Sequence, residues 1–297
     1  MTKRQEDKAQ EHKTQDTRSH IEVLVKFVVC LGLALLAYIP TINWMIGRWG
    51  GKESYYSHGF LVPLIAIFII WQKRTDLAKT KIASEILGLW IVAACLVVHV
   101  VCAALRVYFV SGFTLITVIY GLVLFFFGRG MVYKLTFPIL FLFTMVPLPL
   151  AVIGALTVKL KLLATQLSVF VLNHIGFRCI QDGSFIRMPA SFIEVAAPCS
   201  GLRSIISLLT LGLLFAYFSK TSFLKKSILF LSSIPIAIAT NVMRIMLVAI
   251  VNDLYGGKVA MGFFHDFTGY LVFVVAFVLL YGVMQLLVGR EDKVVSS

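Results

Sequence analysis

The chain has 297 residues, of which 59% are hydrophobic and only 14% are charged. A soluble globular domain carries about a quarter charged residues, and a chain this apolar could not cover its surface with polar side chains. The composition therefore excludes an ordinary soluble protein. The net charge of +13 would suggest a nucleic-acid partner in a soluble chain, but most basic residues lie between apolar runs, so we predict no nucleic-acid partner.

Apolar runs of membrane-spanning length recur along the chain to its C-terminal end, so a cleaved signal peptide cannot explain them. Residues 1–20 are polar and predict a disordered cytoplasmic tail. The eight runs that follow occupy 22–46, 57–72, 86–105, 107–128, 134–149, 200–218, 227–251 and 266–288. The sequence predicts an all-α polytopic membrane protein with about eight transmembrane helices. It forms a single domain over 21–290 and ends in a short cytoplasmic tail, 291–297.

Basic residues in the short loops set the orientation, because Lys and Arg favour the cytoplasmic side. With the N-terminus inside, the inner segments hold most of them, and the short outer loops hold only Arg48, Lys52, Arg106 and Lys258. A further span at 150–175 would place the loop 219–226 and its three lysines outside. Four polar residues also interrupt this run: Lys159, Lys161, Gln166 and Asn173. We therefore predict an interfacial or re-entrant helix there, within an outer-face segment 150–198.

The residues after this helix are typical of a β-hairpin. Two short extended runs, Phe177–Gln181 and Ser184–Met188, flank Asp182-Gly183, a dipeptide that tolerates the positive φ angles of a tight turn. Another extended run follows and leads directly into Cys199. We expect a small β-hairpin cap on the outer face of the membrane.

Cys199 lies where the extended segment meets the sixth span, in the motif Pro198-Cys199-Ser200-Gly201-Leu202-Arg203. Pro198 suits a helix start, and the positive end of a helix dipole favours the thiolate form of a cysteine placed there. Arg203, four residues on, would add to this effect from the same helix face. The simpler interpretation is a small apolar residue at the boundary of a span.

Two polar residues share one face of the seventh span, since Asn241 and Arg244 are three residues apart. A charged side chain inside a span is unfavourable and indicates a functional site by default. Arg244 lies about 10 Å from the outer end at helical rise. The alternative is an arginine that snorkels outward to lipid headgroups.

His265 opens the eighth span, at the membrane level expected for Cys199. An imidazole there can take the proton of a thiol and return it to a leaving amine, and a nearby arginine can stabilise the developing oxyanion. A thiol, an imidazole and a guanidinium on one side of the membrane are the groups needed for acyl transfer through a thioester.

These motifs resemble those of the exosortase/archaeosortase family. Two further features fit the same family: Gly269 after His265, and Tyr56-Ser57-His58-Gly59 at the start of the second span. The resemblance covers most of residues 40–290. It implies a multi-pass cysteine protease or transpeptidase of the cytoplasmic (inner) membrane. Its substrates would be exported proteins that end in a sorting signal: a short motif (Pro-Glu-Pro in the PEP-CTERM type), a transmembrane helix and a basic tail. Cleavage would take place at the outer face.

The resemblance also implies roles for individual residues. Cys199 would be the nucleophile, Arg244 the stabilising arginine and His265 the general acid/base. Arg203, Asn241 and His58 would support them. No cofactor and no metal are expected, and the expected partners are exported protein substrates and the lipid bilayer.

Three alternatives stay open at this point. The chain could be a non-enzymatic subunit or carrier of a polysaccharide export system, or a transferase for lipid-linked substrates whose arginines bind phosphate. A disulfide between Cys179 and Cys199 in an oxidising compartment would hide the nucleophile.

Four basic residues could meet an acidic peptide motif, although anionic headgroups are the simpler partner: Lys159, Lys161, Arg178 and Arg187.

Overall fold

The computed structural model describes residues 21–51, 54–189, 191–260 and 262–289. The predicted tails at 1–20 and 291–297 lie outside these residues. The chain divides into two compact units. The first contains the described residues up to Gly50 together with Ser57–Pro147, and the second contains Gly51–Tyr56 and the described residues from Leu148 onward.

The first unit consists of helices joined by short turns. Its helices are α1 Ile21–Ala37, α2 Ile39–Trp49, α3 Leu61–Gln72, α4 Arg74–Ala78, α5 Ile86–Ala104, α6 Tyr108–Phe127 and α7 Arg129–Phe141. Two 3₁₀ turns, Ser57–Phe60 and Leu142–Met145, precede α3 and follow α7. The predicted first span is bent by 67° between α1 and α2.

A buried polar network lies at this bend. The Tyr38 hydroxyl donates to Thr114 Oγ1 at 2.9 Å, and its ring stacks on His99 with 3.7 Å between centroids. His99 Nδ1 lies 2.7 Å from Ser111 Oγ. Because buried polar groups need hydrogen-bond partners in an apolar surrounding, these contacts explain how polar side chains are accommodated inside the helices of this unit.

The second unit contains the remaining helices and the only strands in the described part of the chain. In order these are α8 Leu150–His174, β1 Ile180–Asp182, β2 Phe185–Arg187, β3 Phe192–Glu194, a 3₁₀ turn Ala197–Ser200, α9 Leu202–Phe218, α10 Phe223–Tyr255, α11 Gly257–Ala260 and α12 Phe263–Val288. The long helix α10 packs against α8, α9 and α12.

The strands form one antiparallel sheet in the order β1-β2-β3. Ile186 pairs with Gln181 on one side and with Ile193 on the other, and its side chain is fully buried. The hairpin predicted at Asp182-Gly183 is present, with Gly183 at φ +60°. Asn173, in the last turn of α8, joins that helix to the sheet through two hydrogen bonds of 2.9 and 3.0 Å with the backbone of Cys179.

Five described helices are long and apolar enough to cross a membrane, and the bent pair α1–α2 would make a sixth. The five are α5, α6, α8, α10 and the Phe267–Val288 part of α12. The structure thus gives fewer helices of spanning length than the eight predicted, because the runs 57–72, 134–149 and 200–218 form helices shorter than 18 residues. Helix α8 is long and apolar enough to cross a membrane, although its polar residues predicted an interfacial helix.

Candidate active site

Cys199 lies in the 3₁₀ turn Ala197–Ser200, between β3 and α9, and its side chain is buried with 8% exposed. The next residue but one, Gly201, has φ +83° and caps α9, which begins at Leu202. Cys199 therefore precedes the helix instead of opening it. The expectation that Arg203 shares a helix face with Cys199 is wrong, because the left-handed backbone at Gly201 separates the two residues.

Asn241 of α10 holds this turn in place. Its Nδ2 donates a hydrogen bond of 2.8 Å to the carbonyl oxygen of Cys199, and its side chain is buried. Gly201 also lies against Asn241, since a Cβ built on Gly201 would lie 3.0 Å from Asn241 Nδ2. The predicted polar face of the seventh span is thus used to position the backbone around Cys199.

Arg244 and Cys199 line the same small cavity, of about 20 Å³. The other lining residues come from β3, from the residue directly after it and from α10: Ile193, Glu194, Val195, Ile245 and Val248. A cavity needs at least about 10–15 Å³ to hold one water molecule, so this one has room for a single water and not for a peptide. A substrate that reaches Cys199 must displace part of the lining.

The guanidinium of Arg244 packs against Gly269 of α12. A Cβ built on Gly269 would lie 3.4 Å from Arg244 Nη2 and 3.6 Å from Cζ. A snorkelling arginine would extend outward to the lipid headgroups, whereas the Arg244 guanidinium packs between helices. Gly269 follows His265 by one helical turn, about 5.4 Å of rise. The side chain of His265 lies outside the described part of the structure, so its role stays a prediction.

The supporting residues have different placements. Arg203 lies on α9 and is partly buried. Its Nε has no hydrogen-bond partner within the described part of the chain. His58 lies in the 3₁₀ turn Ser57–Phe60 of the first unit, whereas Cys199, Asn241 and Arg244 belong to the second.

The structure does not contain the disulfide considered between Cys179 and Cys199. All five cysteines fall in the described part of the chain, and none of them forms a disulfide. Cys179 is buried, with its Sγ 3.6 Å from Asn173 Oδ1 and 3.7 Å from the carbonyl oxygen of Val169. Burial raises the pKa of its thiol, which disfavours the reactive thiolate at neutral pH.

A family model described as transmembrane exosortase matches residues 49–282. The chain belongs to the exosortase family. The match includes every residue singled out above for chemistry, from His58 to Gly269, and it confirms the family that the motifs indicated. No curated protein and no solved structure matches the chain. Together with its spanning helices, the family identifies this exosortase as a multi-pass membrane protein.

Glu194 was not predicted as a residue of this candidate site, and its contact with Lys161 was not predicted either. Glu194 of β3 lines the cavity with Cys199 and Arg244, and Lys161 of α8 forms an ion pair with Glu194, with 3.5 Å between Nζ and Oε1. The acidic residue five positions before the cysteine was the available signal. Nothing in the spacing of Lys161 and Glu194 indicated that these two residues meet.

Proposed function

We propose that this exosortase is a cysteine protease or transpeptidase that cleaves C-terminal sorting signals of exported proteins at the outer face of the cytoplasmic membrane. The observation that carries the proposal is the cavity shared by Cys199 and Arg244. It brings a thiol and a guanidinium to one place, next to the helix that bears His265. Family membership supports the same reaction class.

The proposed reaction proceeds through a thioester. His265 takes the proton of the Cys199 thiol, and the thiolate attacks the carbonyl carbon of the scissile peptide bond. Arg244 stabilises the oxyanion of the tetrahedral intermediate. When the C–N bond breaks, the imidazolium gives its proton to the leaving amine. Water or an amine acceptor then attacks the thioester and transfers its proton to His265, which returns it to the departing thiolate.

The cleavage itself can be tested with an exported reporter protein that ends in a Pro-Glu-Pro motif, an apolar helix and a basic tail. Co-expression with the wild-type enzyme should shorten the reporter, as measured by immunoblot of membrane fractions. The same reporter should stay intact with a Cys199→Ala enzyme. A reporter that remains uncut by the wild type would contradict the proposal.

The proposal includes a topology of eight spans with both termini cytoplasmic and with 150–198 outside. We expect Gln181→Cys, in a variant without the five native cysteines, to react with a membrane-impermeant thiol reagent in intact cells. Lys220→Cys, in the predicted inner loop, should react only after the membrane is opened. The reverse pattern would place Cys199 on the cytoplasmic side and contradict the proposed site of cleavage.

Gly201→Ala should impair both stability and cleavage. A non-glycine residue in the left-handed region costs about 1–2 kcal/mol, and the added Cβ would press on Asn241 at 3.0 Å and so disturb the Cys199 turn. Gly183→Ala is the matched control, since Gly183 also has positive φ but its Cβ would meet nothing within 4 Å. Thermal unfolding should report a loss for both variants. Reporter cleavage should fall only for Gly201→Ala, and an equal fall for both would contradict the positioning role.

A further inference from the structure

A largely but not fully buried lysine lies next to the cavity of Cys199 and Arg244. Lys161 Nζ is 3.5 Å from Glu194 Oε1, and Glu194 itself lines the cavity. The side chain of Lys161 is only 19% exposed, whereas that of Glu194 is 54% exposed. The cation is thus held in the protein, and the carboxylate that faces it is the more accessible partner.

The geometry of this pair is loose. Charge-assisted hydrogen bonds between an ammonium and a carboxylate measure about 2.7–2.9 Å, and the exposed pair Arg187–Asp182 on the sheet reaches 2.6 Å. Glu194 can turn into solvent at little cost, because more than half of its side chain is already exposed. Lys161 is much less exposed, and an ammonium that is largely removed from water is less stable without an anionic partner. The lysine therefore favours an anionic partner, and that partner can be exchanged.

We propose that Lys161 forms a subsite for an acidic side chain of the substrate peptide, and that Glu194 occupies this subsite until the substrate replaces it. The inference rests on the proposed function, because the substrate must pass Cys199 and Arg244 to be cleaved. An acidic residue close to the scissile bond then comes within reach of Lys161. Movement of Glu194 also removes one wall of the 20 Å³ cavity, so binding of the acidic side chain would open the path to Cys199.

The other basic residues of this unit do not meet the same conditions. Lys159 is exposed and lies two positions from Lys161 on α8, while Arg178 is exposed beyond the end of that helix. Arg187 is paired with Asp182, and neither residue lines the cavity of Cys199. Exposed cations suit anionic headgroups, whereas a largely buried lysine beside the cavity suits a side chain delivered by the substrate.

The test uses purified enzyme in lipid nanodiscs and two reporters that differ only in Pro-Glu-Pro against Pro-Gln-Pro. The wild type should favour the Glu reporter by about tenfold to a hundredfold in kcat/KM, the range expected for a hydrogen bond to a charged group. Lys161→Gln should remove this preference. Lys159→Gln, the matched control, should retain it. An equal loss for both reporters in Lys161→Gln would overturn the subsite.

Glu194→Gln provides an independent measurement that does not depend on the folding of the Lys161 variant. Removal of the internal competitor should lower KM for the Glu reporter more than KM for the Gln reporter. A purely structural ion pair predicts the opposite, a lower kcat/KM for both reporters. Lys161→Glu should shift the preference toward a Pro-Lys-Pro reporter, and a variant that still favours glutamate would also overturn the proposal.

Two further outcomes separate this inference from its alternatives. If Lys161 binds headgroups, Lys161→Gln should change how cleavage depends on the phosphatidylglycerol content of the nanodisc, with the Glu-to-Gln ratio intact. That result would overturn the subsite. A second result would overturn the subsite alone. In it, both reporters are cleaved and cleavage requires Cys199, but Lys161→Gln leaves the Glu-to-Gln ratio of kcat/KM unchanged. Absence of any cleavage by the wild type would contradict the proposed function as well.

Discussion

We expect Cys199→Ala to abolish reporter cleavage and to leave the enzyme inserted and folded. Without the thiol no thioester can form, and loss of a nucleophile from such a catalytic set lowers the rate by at least about a thousandfold. The side chain is buried in an apolar cluster with Ile186, Val195 and Ile245, so alanine should be accommodated. Reporter cleavage measures the loss, and detergent-solubilised thermal unfolding measures the folding.

Cys179→Ser is the matched control for this result. Cys179 belongs to the same buried cluster, and a serine hydroxyl can keep contact with Asn173 and the carbonyl oxygen of Val169. We expect nearly unchanged cleavage. An iodoacetamide-type reagent should inactivate the wild type by modifying Cys199, while the raised pKa of the Cys179 thiol disfavours its reactive thiolate. Normal cleavage by Cys199→Ala would end the thiol-enzyme proposal.

The inward placement of Asn241 and Arg244 could be predicted because membrane insertion restricts polar side chains. Asn241 and Arg244 share a helix face in an apolar span, and such residues turn toward the protein interior because lipid cannot solvate them. The structure places them as that argument requires, with Asn241 bonded to the Cys199 carbonyl and Arg244 against Gly269.

The local geometry around Cys199 could not be read from spacing alone. An interval of four residues predicts a shared face only if both residues lie in one helix, and the helix here begins after Gly201. A glycine inside the motif was the available signal, because glycine alone adopts positive φ without strain. The contact between Lys161 and Glu194 joins residues 33 positions apart in the sequence, and neither periodicity nor composition reports a contact of that kind.

Only five or six of the described helices are long and apolar enough to cross a membrane, because the hydropathy of a run reports composition and not helix length. The run 134–149 has a single charged residue, Lys134, yet α7 ends at Phe141. Pro147 and Pro149 follow, and proline disfavours the continuation of a helix. Conversely, α8 is a continuous helix of 25 residues despite its two lysines. The hairpin was predictable because Asp182-Gly183 specifies its turn locally.

Arg244→Lys is expected to be nearly as damaging as Arg244→Ala, with kcat lowered about a hundredfold and KM little changed. Loss of one oxyanion donor typically lowers kcat by about 10²–10³. The planar guanidinium offers a fork of directed donors that an ammonium cannot reproduce, and here it packs on Gly269, 3.4 Å from the position of an added Cβ. Steady-state kinetics on the reporter peptide separates kcat from KM.

Three further variants distinguish this role from that of a positive charge alone. Arg187→Lys keeps an exposed cation opposite Asp182 and should leave kcat unchanged. Gly269→Val places a branched side chain where the guanidinium lies and should reproduce the loss seen in Arg244→Ala. Gly282→Val, on the same helix, adds a Cβ with nothing within 4 Å and should be tolerated. Full activity of Arg244→Lys would remove the oxyanion role, since a snorkelling arginine is the case in which lysine can substitute.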